Sequence, residues 1–250
     1  MISKNYANSI LNALTGRSTL TAPTTVYLGL CANEPNQETG ALTDAKEPVG
    51  IQGYDRRNVT SFFAAAAQGK IATNDEIQFK TAQENYPDKI NFWFLSTSIS
   101  GGVAYLWGKI KDVLQDKVQV EGFANDAATG IYKSAMTADS LLGLKEGEEY
   151  IVYFDGKEYE EVATRYEKDG ASYIGLGNAV AYGGSNDGKE FAILYNESTD
   201  GVDTVGHLTV YATAGVAVHE VAVYAVGITV KKATVPTFYK GELQVSIDAV

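Results

Sequence analysis

The pattern of apolar and polar positions opens with one helical period and then changes to strand periods. Ile2, Tyr6, Ile10 and Leu14 recur every four residues and set a single apolar stripe on a helix, with Ser3 placed to cap it and Gly16 to stop it. Such a stripe packs either on a sheet of its own chain or on a neighbour in an assembly. After Pro23, Thr25-Val26-Tyr27-Leu28-Gly29-Leu30 reads as a strand. Residues 33 to 53 are rich in turn formers and acids, with Pro35, Gly40, Pro48, Gly50 and Gly53. At about 20 residues this connection exceeds the usual length, which marks it as a functional or partner-contacting loop. Strands are expected at Tyr54 to Phe63, Glu76 to Phe79, Ile90 to Leu95 and Val103 to Ile110, with Gly101-Gly102 as a tight hairpin turn.

The texture changes after Asp112. Residues 113 to 140 are ambiguous, with turn signals at Asn125-Asp126 and Thr129-Gly130. Tyr150 to Phe154 and Glu158 to Val162 then flank Asp155-Gly156, a hairpin signal. Short strands follow at Ser172 to Gly175, Phe191 to Tyr195, His207 to Ala212 and Val216 to Val226, and the alternation from Ala233 to Ile247 closes the chain as a strand. Short strands with regular turns indicate a mainly β protein: a β-sandwich or partly open barrel with one N-terminal helix, plus a small inserted β-domain.

Composition agrees with strands and narrows the partners. Sixteen Tyr and 25 Gly stand out in a chain of 250 residues. The net charge of −11, with basic residues clustered only as the pairs Arg56-Arg57 and Lys231-Lys232, argues against nucleic acid as a partner. The most apolar stretch, Ala212 to Val230, is broken by His219-Glu220, so no membrane span is expected. Met1 to Asn5 leads into a polar amphipathic segment rather than a secretory signal, and the chain is expected to be made in a cytoplasm. Cys31 is the only cysteine, so stability must come from packing or assembly.

A helix, then Pro23-Thr24-Thr25-Val26-Tyr27-Leu28-Gly29-Leu30, a Pro-rich loop and Gly53-Tyr54-Asp55-Arg56-Arg57 together resemble a family of phage virion structural proteins of the head-decoration or tail-fibre type. The resemblance continues through Ile77-Gln78-Phe79, Ile90 to Phe94, Ser100-Gly101-Gly102 and Lys240 to Val245. The chain departs from that pattern at Asp55, where a small residue is usual, and in carrying a long additional stretch before the closing strand. That stretch, through Glu146 to Glu160, Tyr173 to Asn178 and Gly188 to Ile193, resembles a small β-module of structural proteins from phages of gut Clostridia. Insertion at a surface hairpin is tolerated when the ends of the insert lie close together. The expected organisation is a discontinuous virion-anchoring base, 1–113 with 227–250, and an outward-facing insert, 114–226.

Candidate chemistry is sparse. His207 and His219 lack metal-ligand spacing, with Asp203 and Glu220 as the only obvious companions. Cys31 follows an apolar strand and reads as a buried thiol. Gly175-Leu176-Gly177 and Gly183-Gly184-Ser185-Asn186 lack the features of a phosphate loop and read as turns. Glu146, Glu148, Glu149, Asp155, Glu158, Glu160 and Glu161 supply carboxylates for a glycosidase, but alternation of Glu with Tyr describes a strand with one solvated face. No catalytic, cofactor or metal residue is assigned.

The resemblance implies a non-enzymatic virion component, with capsid decoration ahead of a tail-fibre or baseplate adhesin and a polysaccharide depolymerase behind both. The implied partners are the major capsid or tail protein and further copies of the chain, a trimer by analogy alone, with a host-surface or mucus glycan as a further partner. Candidate assembly contacts are Tyr6, Ile10, Leu14, Pro35, Pro48, Tyr54, Arg56 and Arg57. Candidate exposed binding residues are Tyr166, Tyr173, Tyr182 and Tyr195, because Tyr offers rigid contact area with a polar tip.

Overall fold

Antiparallel pairing organises nearly all of the regular structure. The computed structural model describes residues 1–68, 70–120, 124–126, 131–137, 142–168, 171–177, 191–200, 203–212 and 219–246. One helix, α1 (Lys4–Leu14), precedes the strands. Before residue 111 come β1 (Tyr27–Cys31), β2 (Arg57–Asn58), β3 (Lys70–Ala72), β4 (Ile77–Gln78), β5 (Phe92–Ser96) and β6 (Ala104–Lys109). Then follow β7 (Lys111–Gln119), β8 (Ala124–Asp126), β9 (Ile131–Thr137), β10 (Glu149–Phe154), β11 (Lys157–Val162), β12 (Thr164–Lys168), β13 (Ala171–Gly177), β14 (Phe191–Asp200), β15 (Asp203–Ala212) and β16 (Glu220–Val226). The chain closes with β17 (Thr237–Phe238) and β18 (Gln244–Ser246). It divides into two compact units, 1–110 with 227–250 and 111–226. The fold is mainly β, as the periodicity predicts, with no closed barrel among the described residues.

The first unit is built on a sheet of order β2-β1-β5-β6, with the small pairs β17-β4 and β18-β3 beside it. The unbroken apolar run of β5 is explained by burial on both faces. Trp93 and Leu95 join Leu28, Leu30, Ile77, Phe79 and Phe238 in one cluster, whereas Phe92 and Phe94 join Cys31, Ala45, Ala104 and Trp107 in another. Gly29 pairs with Phe94 across β1 and β5. A Cβ at Gly29 would stand 2.2 Å from the Phe94 ring, so the ring occupies the space that a side chain would need.

Two expected strands are broken by local chemistry. Tyr54 to Phe63 yields only β2, because Asn58 Oδ1 accepts from the Thr60 N–H at 3.1 Å and turns the chain. The closing segment splits into β17 and β18 because residues 239–242 turn, with the Glu242 N–H on the Tyr239 carbonyl at 3.0 Å and Gly241 at φ 81°. The expected tight turn at Gly101-Gly102 is instead part of a longer β5–β6 connection, residues 97–103, although both glycines adopt positive φ.

The second unit is a two-layer sandwich. Sheet β11-β10-β16-β7 packs on sheet β12-β13-β14-β15-β9-β8. Tyr150, Val152, Phe154, Val221 and Val223 meet Leu176, Phe191, Ile193, Tyr195, Leu208 and Val210 in one core. The β10–β11 hairpin turns at Asp155-Gly156, both at positive φ (50° and 78°), as a primed turn requires. Asp155 Oδ1 also accepts from the backbone of His219 and Glu220, at 2.7 and 2.8 Å, and so ties the turn to β16. The ambiguous stretch after residue 113 contributes β7, β8 and β9, and Asn125-Asp126 lies in β8 rather than a turn. Thr129, Gly130 and the stretch 183–186 lie outside the described residues.

The chain leaves and re-enters the first unit at hydrogen-bonded neighbours. Lys111 pairs with Val226 in the second unit, and the Gly227 N–H donates to the Ile110 carbonyl at 2.8 Å in the first. The boundary therefore falls at Ile110, where β6 gives way to β7, rather than at residue 113. Ends this close allow removal of the intervening residues without stretching the remainder. Replacing residues 111–226 by an Asn-Gly turn is expected to leave a cooperatively unfolding first unit, shifted by no more than about 2 kcal/mol. Urea unfolding followed by tryptophan fluorescence checks this, and loss of a cooperative transition would contradict it.

Candidate functional site

Within the Gly-Tyr-Asp-Arg segment, Arg56 lies over the Phe94 ring of β5, and Tyr54 packs in the cluster that holds Trp93 and Leu95. In an extended segment Tyr54 and Arg56 point to one side and Asp55 to the other. Arg56 is almost completely sequestered: its Nε and Nη2 donate to Glu47 Oε1 and Oε2 at 2.7 and 2.6 Å. Its Nη1 donates to the carbonyls of Ser98 and Gly101 at 2.7 and 2.9 Å, and its guanidinium lies 4.9 Å from the Phe94 ring centroid. The Tyr54 hydroxyl donates to Glu47 Oε1 at 2.8 Å and accepts from the Leu30 N–H at 3.0 Å. Burial and the adjacent Glu47 charge push the Tyr54 phenol well above its usual range. Burial alone would lower the Arg56 pKa, but Glu47 more than offsets it and holds the guanidinium charged.

This arrangement is a clamp within the chain, and Tyr54 and Arg56, two of the candidate assembly contacts, are both buried in it. Asp55 faces solvent and pairs with Lys80. Arg57 is half-buried in β2. The 33–53 loop is likewise drawn onto its own sheet. Pro35, Pro48 and Ala45 are buried, and the Gly40 carbonyl accepts from the Ala104 N–H at 2.8 Å. Trp107 Nε1 donates to Glu34 Oε1 at 3.1 Å. A long irregular connection stays ordered here because buried side chains and paired backbone groups replace the missing sheet ladder. Sequence reasoning missed Glu47. Its signal was an acid beside Pro48 within a loop that must cover apolar strands.

Helix α1 is tied down at one end. Ser3 Oγ accepts from the Tyr6 N–H at 3.3 Å, and Lys4 and Asn5 N–H donate to the Gln37 and Glu38 carbonyls, both at 3.0 Å. Tyr6 meets Tyr105 with ring centroids 5.0 Å apart, and burial pushes the Tyr105 phenol up to about 12. Ile10 is half-buried, whereas Leu14 is 78% exposed.

The tyrosines of the second unit separate into two kinds. Tyr166 and Tyr173 are opposite one another across β12 and β13 and are half-buried. Tyr195 is not exposed, contrary to expectation. It packs in the sandwich core, donates to Glu197 Oε1 at 2.9 Å and accepts from the Leu142 N–H at 2.9 Å. Its place two residues after Ile193 and four after Phe191 marks the same core-facing side. Tyr182 lies outside the described residues.

The remaining candidates are engaged structurally. Glu158 pairs with Lys111 at 2.6 Å and accepts from Tyr153, Glu161 is buried, and Glu160 is also engaged. His219 Nδ1 stands 3.5 Å from Asp155 Oδ2. Among the described residues no three His, Cys, Asp or Glu side chains gather as a metal site. Leu176, between two glycines, is buried in β13. Cys31 is fully buried, and burial with the nearby Glu47 charge raises its thiol pKa, which disfavours the thiolate. No helix among the described residues is long and apolar enough to cross a membrane.

Residues 1–118 match the family described as podophage GP4 fiber I protein gp80. Over that stretch the chain is similar to a phage fibre-type structural protein. No curated protein matches it.

Removing either partner of a buried ion pair leaves an uncompensated charge, whereas an exposed pair is worth little. Glu47→Gln and Arg56→Met are each expected to destabilise the first unit by about 3–5 kcal/mol, and Asp55→Ala by less than about 1 kcal/mol. Urea titrations of the three variants check the order, and equal effects would contradict the clamp. The raised Tyr54 pKa means that the folded state holds this proton more tightly than the unfolded state. Its contribution is therefore complete below the usual value of 10.0 and is lost as pH rises through the folded value. The urea midpoint should fall above that pH, and cooperative release of tyrosinate should accompany unfolding.

Proposed function

We propose that the protein is a non-enzymatic structural component of a bacteriophage virion, of fibre type, which joins the particle through its first unit. The observation that carries this reading is the match over residues 1–118, which covers α1, β1 to β6 and the Arg56 clamp. That stretch stops within β7, so most of the second unit lies outside the similarity. In this proposal the first unit binds other virion proteins, and the second, inserted unit faces outward. Opposed Tyr166 and Tyr173 on β12 and β13 offer contact area to a host-surface or mucus glycan.

Capsid decoration is the second reading. It is favoured by the absence from the sequence of the long heptads or Gly-X-Y repeats that build a fibre shaft. Copies bound to a lattice would then stabilise the head by mass action. The two readings share the same first-unit attachment and differ in where the protein lies on the particle.

Gold-labelled antibody on purified virions separates them. The fibre reading expects label on tail appendages, label over the head would replace it with decoration, and unlabelled intact particles would overturn both. The glycan contact predicts that Tyr166→Ala with Tyr173→Ala lowers binding of the purified protein to host cells or mucin by about tenfold at unchanged thermal stability. Unchanged binding would remove those residues from the contact surface.

A further inference from the structure

Helix α1 carries an apolar surface that its own chain leaves uncovered. None of its eleven residues is buried. Tyr6, Ile10 and Ala13, at spacings of four and three, form the half-buried side toward the first unit. Ala7, Leu11 and Leu14, also at four and three, form the adjacent side; Ala7 is itself half-buried, whereas Leu11 and Leu14 are 58% and 78% exposed. That spacing is the seam of a helix packed on a helix. An eleven-residue helix with no buried residue is also shorter than the roughly 12–15 residues at which even a favourable isolated helix becomes marginal in water.

Charge identifies the occupant. No carboxylate occurs in residues 1–33 of a chain that carries 31, and no charged residue lies between Lys4 and Arg17. The other faces of α1 are Asn5, Asn8, Ser9 and Asn12, which are polar but neutral. Recognition of a different protein commonly relies on complementary charges, and this helix offers none beyond its first residue, Lys4, which pairs with Glu38 of its own chain. In a contact between identical chains about a rotation axis, each side chain near the axis meets its own counterpart, so any charge there meets a like charge. A neutral seam avoids that repulsion. For a protein of net charge −11, this acid-free segment is also where copies oppose one another least.

We propose that α1 packs against α1 of further copies of the same chain through Ala7, Leu11 and Leu14. This deepens the structural-protein reading of the same helix, replacing Tyr6 and Ile10 as the residues that meet a neighbour. One helix face is well below the ~800 Å² per partner of a standard interface, so the association is reversible and concentration-dependent.

The test uses the full chain with Leu14→Glu and Leu14→Lys. Both replace an exposed side chain with a residue of good helix propensity, and circular dichroism confirms that each variant is folded. Sedimentation from about 1 to 100 μM is expected to show wild-type oligomers and, for each variant, at least a tenfold weaker association. Mixing the two variants in equal amounts should restore assembly, because Glu then meets Lys across the seam. A monomeric wild type, variants that assemble as the wild type does, or a mixture that stays dissociated would each overturn the proposal. The same variants probed on virions by gold label keep the two readings apart. Protein on the particle with unaltered oligomers removes only the helix contact. Absence of wild-type protein from the particle removes the virion reading, whatever the oligomers show.

Discussion

The first unit depends on one desolvated cation. Arg56 has left water almost entirely, and a guanidinium in that position is tolerable only when its donors find acceptors and its charge finds a counter-charge. Its partners come from distant stretches of sequence: Glu47 from the long loop, Ser98 and Gly101 from the β5–β6 connection, and the Phe94 ring from β5. Tyr54 extends the same network to β1 through the Leu30 N–H. The loop is therefore part of the fold, because releasing Glu47 would strand a buried charge.

Much of the architecture was legible because period-2 alternation reports which faces are buried. The unbroken apolar run of β5, the Asp155-Gly156 turn between two strand-like runs and the four-residue period of the Ser3-capped helix are legible in the same local manner. What escaped was set by contacts far along the chain. Nothing local says that Arg56 is buried until Glu47 is found nine residues earlier, and Pro35 and Pro48 resemble surface turn residues until a sheet is seen beneath them. The closing strand breaks because Gly241 takes a positive φ within a turn, which alternation alone does not reveal. An excess of Tyr suggests binding surface, but Tyr195 is buried in the sandwich core. Its alternation with Phe191 and Ile193 pointed inward.

The second unit begins and ends at neighbouring positions: its first and last residues, Lys111 and Val226, are paired across adjacent strands. Such a junction lets the two units answer to different demands. In the proposed role, attachment belongs to the unit containing the Arg56 clamp and α1, and contact with the surroundings belongs to the insert. The similarity to a phage fibre-type structural protein spans residues 1–118, which hold α1 and the residues of the Arg56 clamp.

The most direct test of this account is incorporation of the shortened chain, with 111–226 replaced by a turn, into virions that lack the full-length protein. Quantitative mass spectrometry of purified particles would measure its copy number against that of the full-length chain. The account predicts an unchanged copy number. A shortened chain that is folded in solution yet absent from particles would contradict attachment through the first unit.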